Sequence, residues 1–349
     1  MSELSEAHVG SGLVMTVTGP IPVEALGPTL THEHILNDCA CWWNPEGRPG
    51  LADAEVSPGI LWELREDPFA CRDNLGLRDE AAAADELRLW VAEGGRTVVD
   101  PTCRGIGRDP AALSRIAEAT GLNVVMGAGY YLQASHPPTP AAMSEDEVAD
   151  EIVREAVDGV DGVRIGLIGE IGVSADFTPG ERKSLRGAAR AQVRTGLPLM
   201  VHLPGWYRLG HEVLDMAEAE GVDPRRVVLC HMNPSHDDVP YQHGLAARGA
   251  FLGYDMLGMG FFYADQGVQC PDDDAAARAI LGLVEAGHGG RVLPSQDVFL
   301  KMMLTRHGGN GYAHVARHVL PRLVRHGMDP AAASALLTDN PARLFRGEE

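Results

Sequence analysis

Two histidines near the start of the chain offer the clearest chemistry in the sequence. His32 and His34 lie in Thr31-His32-Glu33-His34, at the end of an apolar run. If that run is a β-strand, residues two apart point to the same face, so both imidazoles can bind one metal ion. The spacing therefore indicates a metal site that begins at a strand end.

Single ligand-type side chains end four later apolar runs in the same way. They are Glu170, His202, His231 and Asp297. Catalytic sites of zinc and its neighbours use imidazole and carboxylate ligands and leave a position for water. Each residue alone also fits an ordinary structural role, such as an N-cap for Asp297. Together, at five strand ends, they predict a hydrolytic centre of two metals bridged by Glu170.

Apolar runs recur along the chain and predict eight strands. Their approximate bounds are 26–34, 96–102, 123–130, 164–171, 197–203, 226–232, 250–256 and 291–297. Helical patterns lie between most of them, including 80–93, which stops at Gly94-Gly95. Asp109-Pro110, Ser144 to Glu147 and Thr178-Pro179 are typical helix starts.

This alternation predicts an α/β fold of parallel strands joined by crossover helices. Eight units suit a (β/α)8 TIM barrel better than a doubly wound sheet, since no G-x-G-x-x-G motif follows the first strand. The candidate ligands end strands, and that face carries the active site in such barrels. We expect one hydrolase domain over residues 1–349, with a short N-terminal β-hairpin extension in residues 1–25.

Two segments are longer than ordinary connections. Residues 35–79 follow the first predicted strand, and residues 257–275 follow the seventh. Long loops on the catalytic face often form lids or substrate walls, and a packed surface excursion is the alternative.

Composition narrows the class of protein. A net charge of −20 argues against nucleic-acid and anionic-membrane partners, which need clustered positive charge. None of the six cysteines has C-x-x-C spacing, which favours reduced thiols and a cytoplasmic location. The N-terminus lacks a signal-peptide pattern, and no apolar stretch of about 18 residues predicts a membrane span.

The motifs resemble the phosphotriesterase-related branch of the amidohydrolase superfamily. The resemblance extends from residue 12 to residue 345. Beyond the Thr-His-Glu-His motif and the single histidines, it rests on Asp100-Pro101-Thr102, Gly105 to Asp109, Gly127 to Tyr131, Gly169 to Gly172, Ser295 to Asp297 and Asn310 to Tyr312.

The resemblance implies two divalent metal ions per chain. Zinc is the expected metal, with manganese, cobalt and iron as alternatives. His32, His34 and Asp297 would hold the buried metal, while His202 and His231 would hold the more exposed one. Where the founding enzymes bridge the metals with a carboxylated lysine, this chain has Glu170, as in a Glu-bridged subgroup.

A second departure is Gln296, where relatives often have histidine. Strand alternation should point its side chain away from that of Asp297. We therefore expect a modest effect on the orientation of that ligand.

The expected activity is hydrolysis of a small molecule. A metal-bridged hydroxide would attack a carboxylic ester, lactone or amide, and Asp297 would take the proton of the nucleophile. Hydrolysis of a phosphotriester by the same mechanism is one alternative. A protein that binds a resiniferatoxin-like ester without significant catalysis is an alternative of another class.

Aromatic and basic side chains that follow strand ends are candidates for substrate contacts. Arg208 and Lys301 would suit an anionic group on the substrate. The candidates are Tyr130, Tyr131, Trp206, Arg208, Tyr254 and Lys301. His136 and His236, in loops after the third and sixth strands, are also within reach of such a pocket. The resemblance further implies a possible homodimer.

Overall fold

The computed structural model describes residues 12–138 and 142–347. Residues 1–11, where the predicted N-terminal extension begins and no signal peptide is expected, lie outside the described residues.

The described residues form strands and helices in alternation. The strands are β1 (Leu13–Thr16), β2 (Gly19–Pro22), β3 (Thr29–Leu30), β4 (Asn37–Asp38), β5 (Gly76–Leu77), β6 (Thr97–Asp100), β7 (Asn123–Ala128), β8 (Leu167–Gly172), β9 (Leu199–His202), β10 (Val227–Leu229), β11 (Phe251–Tyr254), β12 (Phe262–Tyr263), β13 (Val268–Gln269) and β14 (Val292–Pro294). The α-helices are α1 (Leu61–Glu66), α2 (Glu80–Ala92), α3 (Pro110–Thr120), α4 (Glu145–Val157), α5 (Pro179–Thr195), α6 (Gly210–Ala219), α7 (Val239–Ala247), α8 (Asp273–Glu285), α9 (Leu320–Arg325), α10 (Pro330–Ala335) and α11 (Asp339–Arg346).

Eight parallel strands form the central sheet, in the order β3-β6-β7-β8-β9-β10-β11-β14. The two outer strands meet just beyond their ends. The Asp297 N–H donates to the His32 carbonyl at 3.1 Å, and the His34 N–H donates to the Val298 carbonyl at 3.2 Å. The predicted (β/α)8 barrel is confirmed, and its seam runs through residues predicted to bind metal.

The N-terminal hairpin is also present. β1 and β2 pair in antiparallel fashion, from Leu13 opposite Pro22 to Thr16 opposite Gly19. Val14 packs with inward-facing barrel residues such as Val125 and Phe251. The hairpin thus contributes to the apolar core of the barrel.

The first barrel strand is shorter than the sequence predicts. The expected strand over 26–34 is reduced to Thr29–Leu30, so His32 and His34 lie in non-strand backbone. Side chains replace part of the ladder here: the His32 N–H donates to Ser295 Oγ at 3.1 Å and the Ile35 N–H donates to Asp100 Oδ2 at 3.1 Å, while the Glu33 N–H still donates to the Val99 carbonyl at 3.0 Å.

Helix starts follow the local signals in the sequence. Asp79 and Asp109 cap α2 and α3 by accepting backbone N–H groups of Ala82 and Ala112. Capping boxes open α4 at Ser144 and α5 at Thr178. These predicted boundaries are confirmed.

Both long loops carry their own small antiparallel pair. β4 pairs with β5 inside residues 35–79, and β12 pairs with β13 inside residues 257–275. All six cysteines are free thiols. In the part of the chain that the structure describes, no helix has the length and apolar character needed to cross a bilayer.

Candidate metal centre

The six predicted ligands meet at the C-terminal end of the barrel and form two groups of three. Within each group, the potential ligand atoms lie within 4.8 Å of one another. The first group is His32, His34 and Asp297, and the second is Glu170, His202 and His231. All six side chains are buried or nearly so.

Asp297 connects the two histidines of the first group. Its Oδ1 lies 3.3 Å from Nε2 of His34 and 3.5 Å from Nε2 of His32. The neighbouring Nε2 and Oδ1 atoms can therefore face a single ion.

Glu170 lies between the two groups. Its Oε2 is 3.2 Å from Nδ1 of His202 and 3.6 Å from Nε2 of His32. Its other oxygen, Oε1, is 3.4 Å from Nε2 of His34. This is the position that a bridging carboxylate requires.

Two atoms of the first group provide a test of metal fit. His32 Nε2 and Asp297 Oδ1 are buried and have no hydrogen-bond partner. A buried polar atom without a partner costs free energy, and such atoms are uncommon in folded proteins. A cation that binds both atoms removes this cost, so the residues fit a divalent metal ion.

The electrostatics of the six side chains agree with this fit. Burial opposes protonation of His34, but Asp297 and Glu170 outweigh it and raise its pKa to about 9. Burial likewise opposes ionisation of Glu170, but His32 and His202 outweigh it and hold its pKa well below the usual value. The buried carboxylates thus attract positive charge, which bound metal ions provide when the histidines are neutral.

Cys230 offers a third possible ligand arrangement, with His32 and Glu170. Burial raises the pKa of its thiol well above the usual value. Its packing within the apolar core of the barrel indicates a structural role.

Asp255, a residue that the sequence pattern leaves unselected, orients two of the histidines. Its Oδ2 lies 2.8 Å from Nδ1 of His32, and its Oδ1 lies 3.0 Å from Nδ1 of His231. The same Oδ1 accepts the backbone N–H of His231 at 2.8 Å. Such partners fix the ring orientation of metal-binding histidines. A signal for it is present in the sequence, because Asp255 is a carboxylate directly after β11, at the same end of the barrel as the predicted ligands.

Thr102 has the same function for His34, with Oγ1 2.7 Å from Nδ1. His32, His34 and His231, each held through Nδ1, therefore direct Nε2 toward the centre. His202 differs, since its Nδ1 faces Glu170 Oε2 and lies 2.8 Å from His231 Nε2.

Two of the predicted ligands have unusual backbone conformations. His231 has φ of 59° and Asp297 has φ of 49°. Non-glycine residues rarely adopt this left-handed region, and they cluster at functional sites when they do. Here the conformation is held by hydrogen bonds of both backbone N–H groups, to Asp255 and to the His32 carbonyl respectively.

A cavity of about 320 Å³ opens onto the ligands. His34, Glu170, His202, His231 and Asp297 line it. Both long loops contribute walls to it, so they are more than surface excursions. Its aromatic lining residues are Trp42, Phe69, Tyr131, Trp206, Tyr207, Tyr263 and Phe299.

Of the six predicted substrate contacts, Tyr131 and Trp206 line this cavity. Arg208 and Lys301 do not; they form ion pairs with Asp238 and Asp73. The expectation that these two cations meet an anionic substrate group is corrected on this ground.

Tyr130 and Tyr254 also lie away from the cavity, because each precedes a residue that faces the site. The Tyr130 hydroxyl donates to Glu151 at 2.8 Å, and the Tyr254 hydroxyl donates to Gln242. The loop histidines bond locally instead of lining the cavity: His136 contacts the Tyr131 carbonyl and His236 contacts the Asn233 carbonyl.

Gln296 points away from the ligands, as strand alternation predicts. Its Nε2 donates to Glu33 Oε1 and to the Tyr312 carbonyl, each at 3.0 Å. Its Oε1 accepts the Val315 N–H at 3.0 Å. The residue connects the barrel seam to the segment before α9.

Residues 12–345 match the profile of the Phosphotriesterase family. The chain belongs to the phosphotriesterase family. It is 33% identical over 338 residues to the N-acetyltaurine hydrolase of Tetraodon nigroviridis, covering 95% of this chain and 97% of that protein. Membership of this family and the likeness to this relative show that the chain is a hydrolase.

Two solved structures show how far the likeness extends. A resiniferatoxin-binding protein from Rhodobacter sphaeroides is 64% identical, with a TM-score of 0.97 and coverage of 99% of this chain and 98% of that one. A phosphotriesterase homology protein from Escherichia coli, solved with phosphate in its active site, is 28% identical. Its TM-score is 0.77, with 92% of this chain and 99% of that chain covered.

Proposed function

We propose that this phosphotriesterase-family hydrolase uses two divalent metal ions, with zinc as the expected metal, to cleave the amide, ester or lactone bond of a small molecule. The observation that carries the proposal is the position of Glu170 between two groups of ligand atoms. His32, His34 and Asp297 would hold one ion, His202 and His231 the other, and Glu170 would contact both.

When bound, such ions lower the pKa of water and polarise the oxygen of the scissile bond. We assign Asp297 as the proton carrier. It lines the cavity, while its Oδ1 faces the histidines of the first group. Its carboxylate would take the proton of the attacking water and pass it to the leaving group. Asp255 and Thr102 hold three histidine rings in place.

An amide is the first choice of bond, because the curated relatives are named as hydrolases of an N-acyl compound. A carboxylic ester or lactone is the second, and a phosphotriester is an alternative with the same site. A cytoplasmic location, a homodimer and a single domain over 1–349 stay predictions from the sequence.

A binding protein without significant catalysis is the candidate of another class. The observation in its favour is the 64% identity to a protein named for binding resiniferatoxin. Against it, all six ligand positions are filled, and Asp297 faces the cavity as a proton carrier must.

The test combines metal content with turnover. The purified protein is reconstituted with zinc or manganese, metals are counted by mass spectrometry, and hydrolysis is measured on N-acyl amines, aryl esters, lactones and paraoxon-like triesters. We expect about two metals per chain and amide or ester turnover that a chelator abolishes. Two metals without turnover would favour the binding protein, and failure to bind any metal would refute the proposal.

A further inference from the structure

The outer part of the cavity is a continuous aromatic wall. Trp42 stacks on Phe69 with ring centroids 5.2 Å apart and an interplanar angle of 19°. Phe69 contacts Tyr263 at 5.4 Å, and Tyr263 meets Trp206 edge to face at 5.4 Å. Phe299 completes the wall, 6.5 Å from Phe69. Such a surface favours contact with flat apolar groups.

The charged side chains around this wall are all acidic. In the described residues, the cavity lining contains neither lysine nor arginine. Outside the predicted ligands, the carboxylates that line it in the described part of the chain are Asp176 and Asp265, both exposed at the surface.

The two cations that the sequence predicts as substrate contacts are paired with carboxylates. Arg208 Nε lies 2.9 Å from Asp238 Oδ2, and Lys301 Nζ pairs with Asp73. The chain as a whole carries −20 charges. A substrate with an anionic group at the aromatic wall would therefore meet carboxylates at the rim and neither lysine nor arginine among the lining residues that the structure describes.

We propose that the substrate is an uncharged compound whose leaving or acyl portion is aromatic, and that the cavity discriminates against substrates with a sulfonate or carboxylate at that end. The inference rests on the proposed hydrolytic function and specifies its substrate class. A cavity of about 320 Å³ is at the small end of the range for ligand pockets, so it suits a substrate with one ring-sized group against the aromatic wall. N-acetyltaurine, which carries a sulfonate, is thus a poor match for this chain although its relatives are named for it.

The test uses substrates that match in shape and differ in charge. 4-(Acetamidomethyl)benzamide and 4-(acetamidomethyl)benzoate share the scissile amide, and the corresponding acetate esters provide a second pair. On the metal-loaded enzyme, we expect kcat/KM to be at least about tenfold higher for the benzamide of each pair. N-acetyltaurine should be hydrolysed no better than the benzoate.

Ionic strength and variants of the rim test whether the rim carboxylates cause the preference. Raising ionic strength from about 0.01 M to about 1 M shortens the Debye length from about 30 Å to about 3 Å, and it should bring the kcat/KM values of the benzamide and the benzoate closer together. The double variant Asp176→Asn/Asp265→Asn should bring these values closer together as well. Asp237→Asn is the matched control, because Asp237 is an exposed aspartate in the loop after β10 that does not line the cavity.

A binding arm separates failure of this inference from failure of the proposed function. Trp42 and Trp206 line the cavity, so their fluorescence reports occupancy directly. If no compound is hydrolysed but the benzamide binds more tightly and the rim variant removes the difference, the substrate class stands and the hydrolytic proposal fails. Equal kcat/KM and equal binding within each pair, or a preference for the benzoate, would overturn the inference.

Discussion

Asp255 shows how much of the centre depends on a residue that touches no substrate. One carboxylate holds Nδ1 of both His32 and His231, which belong to different ligand groups. The two groups are therefore positioned relative to each other through one side chain, in addition to Glu170. Loss of such a partner typically lowers metal affinity or activity by about 10- to 100-fold.

We predict that Asp255→Asn lowers metal affinity within that range. An amide can accept from one ring and must present its NH2 group to the other, so one histidine loses its orientation. Metal affinity is measured by competition with a chromogenic chelator, with circular dichroism as a check on folding. Asp223→Asn, a capping aspartate before β10, should leave metal affinity unchanged. Unaltered affinity in Asp255→Asn would remove the positioning role.

Asp297→Asn tests the proton carrier. The amide oxygen can still bind an ion, but the side chain can no longer accept a proton at neutral pH. We expect turnover to fall by about 100-fold or more, the usual contribution of a general acid–base group, while metal content is largely retained. Metal counting and kcat on the best substrate of the screen give both values. Wild-type turnover in this variant would exclude Asp297 from proton transfer.

At this scale, the six residues that the sequence predicts as ligands come together in the structure, whereas four of the six predicted substrate contacts lie away from the cavity. Ligand-type residues at successive strand ends converge because the barrel brings those ends together. The fold alone therefore predicts that His202 and His231 lie close to each other. Whether a cationic side chain faces the cavity or pairs with a carboxylate depends on residues that are remote in sequence. Lys301 pairs with Asp73, 228 positions away, and no local pattern shows that pairing.

At the scale of elements, the first turn of α5 holds two loops of the catalytic face. Glu181 caps its own helix through the Thr178 N–H at 2.9 Å. It also accepts the Gln133 N–H at 3.1 Å, and both the N–H and the hydroxyl of Ser174. The loops after β7 and β8, which line the cavity with Leu132 and Ser174, are thereby tied to one helix.

We predict that Glu181→Gln lowers the free energy of unfolding by about 1–3 kcal/mol, because buried donors lose a charged acceptor. Urea unfolding at neutral pH measures the change. Glu147→Gln is the matched control, since Glu147 holds the same position in the capping box of α4 but, among the described residues, bonds only to Ser144. The free energy of unfolding should fall less in Glu147→Gln than in Glu181→Gln. Equal losses in both variants would show that the loop contacts contribute nothing.

The effect of Glu181 should depend on pH in a defined direction. Burial alone would raise the pKa of its carboxyl, but hydrogen bonds from Ser174 and from backbone N–H groups outweigh it and lower the pKa. A lowered folded-state pKa stabilises the fold above the unfolded value of about 4.3 and loses that effect as pH falls through the folded value. The difference between wild type and Glu181→Gln should therefore be full at neutral pH and shrink in acid. A difference that grows on acidification would contradict this.

Elements differ in how far sequence predicts them. Helix starts such as Asp109 and Thr178 are predicted well, because a cap and its partner lie within three positions. The end of β3 was predicted too late. Its backbone groups bond to Asp100 and Ser295, whose side chains come from other strands and are invisible to a local pattern.

At the scale of the whole molecule, Glu33 joins the first and last strands of the barrel. Its Oε1 accepts from Ser295 Oγ at 2.8 Å and from the Gln296 N–H at 2.8 Å, and its Oε2 accepts the Val298 N–H at 2.8 Å. The residue lies between His32 and His34, so the histidine pair is attached to the last strand through it.

We predict that Glu33→Ala destabilises the fold by about 3 kcal/mol or more, because several buried donors are left without an acceptor. Unfolding is measured in the presence of a chelator, so that lost metal binding does not contribute. Glu118→Ala, on the exposed face of α3, should change stability by less than about 0.5 kcal/mol. A wild-type free energy of unfolding in Glu33→Ala would show that the seam does not depend on this carboxylate.

The same seam sets an order of events during synthesis. Glu33 and Gln296 are 263 positions apart, and at about 5–20 residues per second the ribosome needs about 13–50 seconds to pass from one to the other. Throughout that time His32 and His34 lack Asp297, whereas Glu170, His202 and His231 are complete after residue 231. The first group of candidate ligands therefore cannot be complete until the last barrel strand has been made, and a message truncated before codon 297 yields a chain that lacks Asp297 altogether.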